Sequence, residues 1–367
     1  MKTLKLIVLM LLTANFVTAQ TTYGENAGEL GDDTNAYFGV NAGADANSNK
    51  NTFIGAETGT NTDIGGNNVG IGYGALKTST GYNNTSIGLE AGQFLNSSDN
   101  VFIGKWAGKL AESGNSNVGI GSESLKVNDG GQNNLAIGYR AGQTNTGGGN
   151  NIFMGAYAGN GNKIGGGNIY IGASAGNGQD SYGNIAIGSK AGQYAYDETS
   201  SSSSIFLGSN AGKNRPTGRQ RELYIQSQSD NDNNAIPLIY GNFSTKKIGI
   251  GTTTPENALD VNGTIRAKEI KVESGWSDYV FYDDYQVPTL EEEEKHIEEN
   301  GYLLGFESEE DMQGEILIGD VSRRQQAKIE EMMLHLIEMN KAIKALQQSE
   351  KKLREENETL KVKLSEK

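Results

Sequence analysis

The sequence has no cysteine, only four prolines, only two histidines, and no long apolar run after its first residues. Without cysteine there is no disulfide framework, no thiolate metal site and no lipidated thiol, so stability outside the cell has to come from packing or assembly. So little proline, with no Gly-X-Y period, excludes a collagen-like chain. Apolar residues make up 35% of the chain, too few for one large globular core but enough for a thin repetitive one. The net charge of −14 argues against nucleic acid or an anionic membrane as partner. Much of it sits in Glu291–Glu294 and Glu307–Asp311, runs that read as solvated faces.

What is present begins with an export signal. Lys2 and Lys5 precede the apolar run Leu6–Leu12, and Val17-Thr18-Ala19 supplies small residues for cleavage. Residues 1–19 are therefore expected to be a signal peptide, with the mature chain secreted or at the cell surface. No other run approaches the ~18 apolar residues of a spanning helix, so no direct membrane span is expected after cleavage.

Fifty-one glycines are the second positive feature, and they are periodic. Phrases such as "DNVFIGKWAGKL", "NNLAIGYRAGQ" and "GNIAIGSKAGQ" align on Gly39, Gly55, Gly72, Gly88, Gly104, Gly121, Gly138, Gly155, Gly172, Gly188 and Gly208. The steps are 16 or 17 residues until a last step of 20. Gly24–Gly28, "GENAG", reads as a degenerate copy ahead of them. Eleven copies at a near-fixed period indicate a repeat architecture in which each copy is one coil. Coils of this kind stack ~4.8 Å apart, each pairing its backbone with the next.

Numbered from the anchor glycine, position −1 is large and apolar throughout, from Phe38 and Ile54 to Leu207, and position −3 runs from Ala36 and Thr52 to Ile205. Side chains two apart share one strand face, so these two columns are expected to line the interior. Position −2 then faces the other way. It mixes Tyr37, Phe53, Phe102, Phe153, Tyr170 and Phe206 with small residues, and it reads as a stripe covered by a partner chain or offered to a ligand. Position +3 is small in every copy, and +4 is glycine except at Leu76 and Leu125. The Asn, Gly, Ser and Asp residues between phrases read as turn formers.

The Asn-x-hydrophobic-x-Ile-Gly-x-x-Ala-Gly phrases resemble the head repeats of YadA-like trimeric autotransporter adhesins over residues 36–213. The resemblance implies a left-handed parallel β-roll, three of them side by side, displayed at a surface for adhesion. The period here is longer than that family's usual one. Members with this head end in an outer-membrane β-barrel, and no such strands follow here, so attachment is expected to be indirect.

Residues 20–35 read as an N-terminal lead, and 214–275 as a β connector. "ELYIQSQ", "IPLIYGNF" and "KKIGIGT" are expected strands, and "ALDVNGTIRAKEIKV" a hairpin about Asn262-Gly263. This stretch resembles the tail-fibre-like connectors of bacterial surface and phage fibre proteins. Some relatives continue into a self-cleaving chaperone with a Ser and Lys pair. Ser277-Asp278 and Ser229-Asp230 lack that lysine, so autoproteolysis is not expected.

Residues 276–320 read as a small α/β cap. Thr289 and Glu292 have capping-box spacing, opening a helix to about Asn300 that Gly301 stops. Trp276, Tyr279, Phe281, Tyr282 and Tyr285 are expected to pack the cap, with a sugar platform as the rival reading. Residues 321–367 read as a coiled-coil stalk. Its seam is Ile329, Met332, Leu336, Met339, Ile343, Leu346, Glu350, Leu353, Asn357, Leu360 and Leu364. Leucine at d favours two strands, whereas the head resemblance implies three.

The expected fold class is mainly β: a homotrimeric parallel β-roll, a β connector, a small cap and a helical stalk. No catalytic or metal residue and no cofactor is expected. His296 and His335 have no partner at ligand spacing, and Asp99, Asp129 and Asp180 lack the calcium-binding nonapeptide pattern. A glycoside hydrolase would need paired carboxylates, and the repeat columns fix no acidic position. The expected function is that of an exported, adhesin-like trimeric fibre whose partners are its own copies and a surface protein or glycan. The alternative is a passive spacer with no ligand.

Overall fold

The computed structural model describes residues 21–24, 34–61, 63–178, 180–194, 203–213, 221–227, 236–273, 275, 277–308, 310–311 and 316–365. The expected signal peptide, most of the N-terminal lead and Trp276 lie outside these residues. The chain divides into two compact units, Met1–Ile265 and Arg266–Lys367.

The first unit is a parallel β-solenoid. After β1 (Thr21–Tyr23), the coils contribute β2 (Ala36–Phe38), β3 (Thr52–Ile54), β4 (Val69–Ile71), β5 (Thr85–Ile87), β6 (Val101–Ile103), β7 (Val118–Ile120), β8 (Leu135–Ile137), β9 (Ile152–Met154), β10 (Ile169–Ile171), β11 (Ile185–Ile187) and β12 (Ile205–Leu207). Each pairs in parallel with the next, in sequence order and without slippage, so Phe102 lies opposite Gly119 and Gly119 opposite Ala136. A second backbone line runs at position +4. The Gly108 amide donates to the Ser124 carbonyl at 3.0 Å, and Leu125 to Ala141 at 3.0 Å.

A coil folds tightly because its glycines permit it. Gly104 has φ +137°, and a Cβ there would lie 2.5 Å from the Gly121 carbonyl oxygen of the next coil. Only glycine tolerates both the conformation and the approach.

The interior is one side chain wide. A Cβ on Gly108 would lie 2.5 Å from the Phe102 ring, so position +4 meets position −2 of the same coil directly. The expectation for the strand faces is therefore reversed. Tyr37, Phe53, Phe102, Phe153, Tyr170 and Phe206 are fully buried, and the −1 and −3 columns point outward. Two columns of Ile and Val could not both fit across so narrow a space, whereas one column of mixed size fills it.

Size is balanced within and between coils. The two coils with glycine at −2, Gly70 and Gly119, are the two with leucine at +4, and Leu76 and Leu125 are fully buried there. Where large residues follow one another the rings stack: Tyr37 on Phe53 at 5.5 Å and Phe153 on Tyr170 at 5.7 Å between centroids. Offset stacking of this kind adds to the area buried.

A buried asparagine ladder runs along one corner, at position −4. Each Asn Oδ1 accepts the backbone amide of its counterpart one coil on: Asn35 from Asn51 at 2.7 Å, Asn100 from Asn117 at 2.9 Å, Asn134 from Asn151 at 3.0 Å. Every −4 residue from Asn35 to Asn184 belongs to it. The ladder thus satisfies amides that the sheet does not reach, as buried polar groups require.

It ends by substitution. The Ser204 amide bonds to Asn184 Oδ1, and the Glu222 amide bonds to Ser204 Oγ. The buried Glu222 carboxylate then accepts from the hydroxyls of Tyr224 at 3.1 Å and Tyr240 at 2.6 Å.

At this end the chain reverses. β13 (Glu222–Ile225) continues the parallel stack, β14 (Ile239–Asn242) and β15 (Lys247–Ile250) add antiparallel, and β16 (Leu259–Val261) pairs in parallel with β15. The hairpin turn lies between Asn242 and Lys247, where Asn242 Oδ1 accepts the Ser244 and Thr245 amides. The hairpin expected about Asn262-Gly263 does not form. Neither residue takes the positive φ that a two-residue turn demands. β16 is already paired with β15, and no strand follows it over residues 264–273.

The second unit contains a short 3₁₀ turn (Asp278–Phe281), α1 (Leu290–Asn300) and α2 (Ile318–Ser365). The capping box forms as its spacing indicates. Thr289 Oγ1 accepts the Glu292 amide at 3.2 Å, Glu292 Oε2 accepts the Thr289 amide at 2.8 Å, and Gly301 closes α1 in the left-handed region. No helix among the described residues is long and apolar enough to cross a membrane.

Candidate functional site

Two apolar surfaces stand out, one on each unit. On the solenoid it is the outward face of β2–β12. Position −1 carries Phe38, Ile54, Met154 and Ile187, each about 40% exposed, among half-buried isoleucines, and position −3 carries Val69, Val101, Val118, Leu135 and Ile152 beside them. Exact register lines these residues into a mostly aliphatic band, interrupted at −3 by Ala36, Thr52 and Thr85. Contiguous apolar surface of this kind marks a candidate interaction face. The aromatic stripe named from the sequence is not part of it, because those six rings fill the interior.

On α2 the surface is the seam. Ile329, Met332, Leu336, Met339, Ile343, Leu346, Leu353, Leu360 and Leu364 are all exposed, Leu346 and Leu364 by more than 70%, and so is Asn357. The residues of α2 that are buried, Ala327, Glu330 and Glu331, occupy other heptad positions.

The cap engages those other positions. Ser277 Oγ donates to Glu330 at 3.2 Å, the Tyr285 hydroxyl donates to Glu331, and Lys328 bridges Glu293 and Glu331 at 2.6 Å each. Burial alone would lower the Lys328 ammonium, but the two carboxylates hold it above the ordinary lysine value. Burial, reinforced by Glu331, raises the Tyr285 phenol. His335 places Nε2 2.9 Å from the Pro288 carbonyl oxygen.

The cap aromatics divide. Tyr279 and Tyr285 meet edge to face at 5.5 Å, whereas Phe281 and Tyr282 are exposed. The packing role thus accounts for Tyr285, whose hydroxyl ties the cap to α2.

The aspartates named as turn residues lace coils together. Asp180 Oδ1 accepts the amides of Lys163, Ile164 and Gly165, and Asp129 Oδ1 accepts from Ser113 Oγ at 2.8 Å. No cluster among the described residues groups three metal-binding side chains.

The asparagine ladder was missed from the sequence, where its members read as turn formers. Its signal was the strict Asn at −4 in ten successive coils, a constancy that a solvent-facing turn does not need. In comparison with known proteins, the chain matches no family model, no curated protein and no solved structure.

Proposed function

We propose that the protein is an exported, adhesin-like fibrous surface protein in which three copies assemble side by side through the outward Ile and Val band, with left-handed coils as the head resemblance implies. The observation that carries this reading is that band. Eleven strands in register present it, and its residues are half-buried or exposed. The exposed seam of α2 supports the same reading at the other end of the chain. Seam residues at this spacing are stable only when a second helix covers them. Adhesion follows from assembly, since three identical faces convert weak contacts into avidity.

The test is mass by light scattering on the mature chain, with the paired variants Ile103→Glu/Ile137→Glu in the band and Leu336→Glu/Ile343→Glu in the seam. The expected wild-type mass is three chains, and each pair lowers it. Monomeric wild type refutes the assembly. An intact trimer with no affinity for cells, matrix or glycans removes adhesion and leaves a passive spacer.

A further inference from the structure

The post-anchor segment of each coil faces the strand across the interior, so its outward side chains lie on the opposite flank from the apolar band. On this flank one region differs from the rest. Lys105, Lys126 and Lys109 place their ammoniums 4.0, 4.7 and 5.4 Å from the Trp106 ring centroid. Two coils on from Trp106, Arg140 lies 4.9 Å from the Tyr139 ring and 5.9 Å from that of Tyr157, and those two rings meet edge to face at 5.2 Å.

Three cations about one indole repel one another unless anions intervene. Two acids do so in part. Glu90 pairs with Lys109, and Glu123 is shared by Lys126 and Arg140 at 3.3 Å each. Lys105 makes no ion pair among the described residues. The patch therefore keeps a local positive excess on a chain whose net charge is −14.

The backbone gives a second, independent sign. Position +2 takes a left-handed conformation in every coil, and it holds Asn, Glu, Gly, Ser or Lys except in three coils. Those three are Trp106, Arg140 and Tyr157, with φ of 60°, 55° and 59°. Bulky side chains are costly there, and such costs are retained where a surface has a task. All three fall within this patch.

We infer that the Trp106–Tyr157 flank is a binding site for an acidic polysaccharide. Lys105, Lys126 and Arg140 come from three successive coils and so rise in steps of ~4.8 Å along the rod. The three cations, at positions +1, +5 and +2 of their coils, are thus spread along the rod on the scale of a sugar unit, so that carboxylate or sulfate groups along one chain reach more than one of them. Tyr139, the exposed ring of the patch, offers an apolar surface to sugar C–H groups, and Trp106 holds the lysines in place beneath it. Nucleic acid is the rival polyanion, and the titration below separates the two. The site lies within one chain, so it does not depend on trimer formation or on surface display.

The experiment is calorimetric titration of the full chain with polygalacturonate, chondroitin sulfate, neutral dextran and single-stranded DNA. Saturable binding to a charged polysaccharide is expected, weakening as salt is raised, with dextran silent and DNA weaker. Polygalacturonate against chondroitin sulfate distinguishes carboxylate from sulfate as the anion. Lys105→Glu, at an exposed position, should weaken binding by roughly tenfold or more, as should Trp106→Ala. Unchanged affinity in Lys105→Glu, equal binding of dextran or DNA, or no binding of either charged polysaccharide at low salt overturns the proposal.

Discussion

Replacing Asn134 by aspartate changes one atom in shape and reverses the hydrogen-bonding capacity of the asparagine ladder. Asn134 Nδ2 donates to the Gly148 carbonyl at 2.8 Å and to Asn117 Oδ1 at 3.1 Å, while its Oδ1 accepts the Asn151 amide at 3.0 Å. Alanine at this position leaves the Asn151 amide buried and unpaired and loses the donations, a cost of about 2–4 kcal/mol. Aspartate keeps the acceptor for Asn151 but turns its other oxygen toward two oxygens, with a charge that burial makes expensive. Asn134→Asp should therefore be less stable than Asn134→Ala at neutral pH, although it is closer in shape.

The pH dependence has a definite sign. A buried carboxyl facing two acceptors has its folded pKa raised above the unfolded value. Stability is then present below the unfolded value, near 4, and is lost as pH rises through the folded one. Protonated aspartate can donate where Asn134 did, so acid should restore much of the loss. Hydrogen exchange at the amides of Asn151 and its neighbours reads the effect coil by coil, and melting followed by circular dichroism reads the sum. An aspartate variant as stable as wild type at pH 7, or one that gains nothing on acidification relative to the alanine variant, refutes the reasoning.

Gly108→Ala should cost about 2–4 kcal/mol, because its Cβ meets the Phe102 ring in a left-handed backbone, and Phe102→Leu should recover part of that in a double-mutant cycle; Gly263→Ala, with open space around it, is the neutral control. Tyr37 has a fully buried hydroxyl with no partner among the described residues, and burial pushes its phenol up to about 12. Its contribution is full below pH 10 and lost as pH rises through the folded value. Tyr37→Phe should thus lose ~2–3 kcal/mol less than wild type over that interval, measured by melting in alkaline buffers, and equal losses would count against it.

The period, the three-residue strands, the capping box of α1 and the extent of α2 were legible because each is a local rule. The anchor glycine fixes the turn, and residues −3 to −1 are the strand in every coil. Which strand face is interior was not legible from alternation, since alternation gives two faces and names neither. Counting large apolar residues selects the Ile and Val columns, but the solenoid has room for only one residue per strand. The deciding sign was a pairing across the coil: Leu76 accompanies Gly70, and Leu125 accompanies Gly119. Compensation of that kind is needed only where two positions share one space. The hairpin about Asn262-Gly263 failed for another reason. A turn sequence permits pairing but cannot supply a partner strand, and β15 had already claimed β16.

The end of the asparagine ladder governs length. A stack of like rungs offers its last rung as a template for another, which is how fibrils grow without limit. Here the final polar positions are Ser204 and Glu222, the Glu222 carboxylate is taken by the two tyrosine hydroxyls, and the antiparallel β14 lies across the place where a further rung would dock. Elongation past this point finds no matching acceptor. This end of the stack is consequently capped by the chain itself.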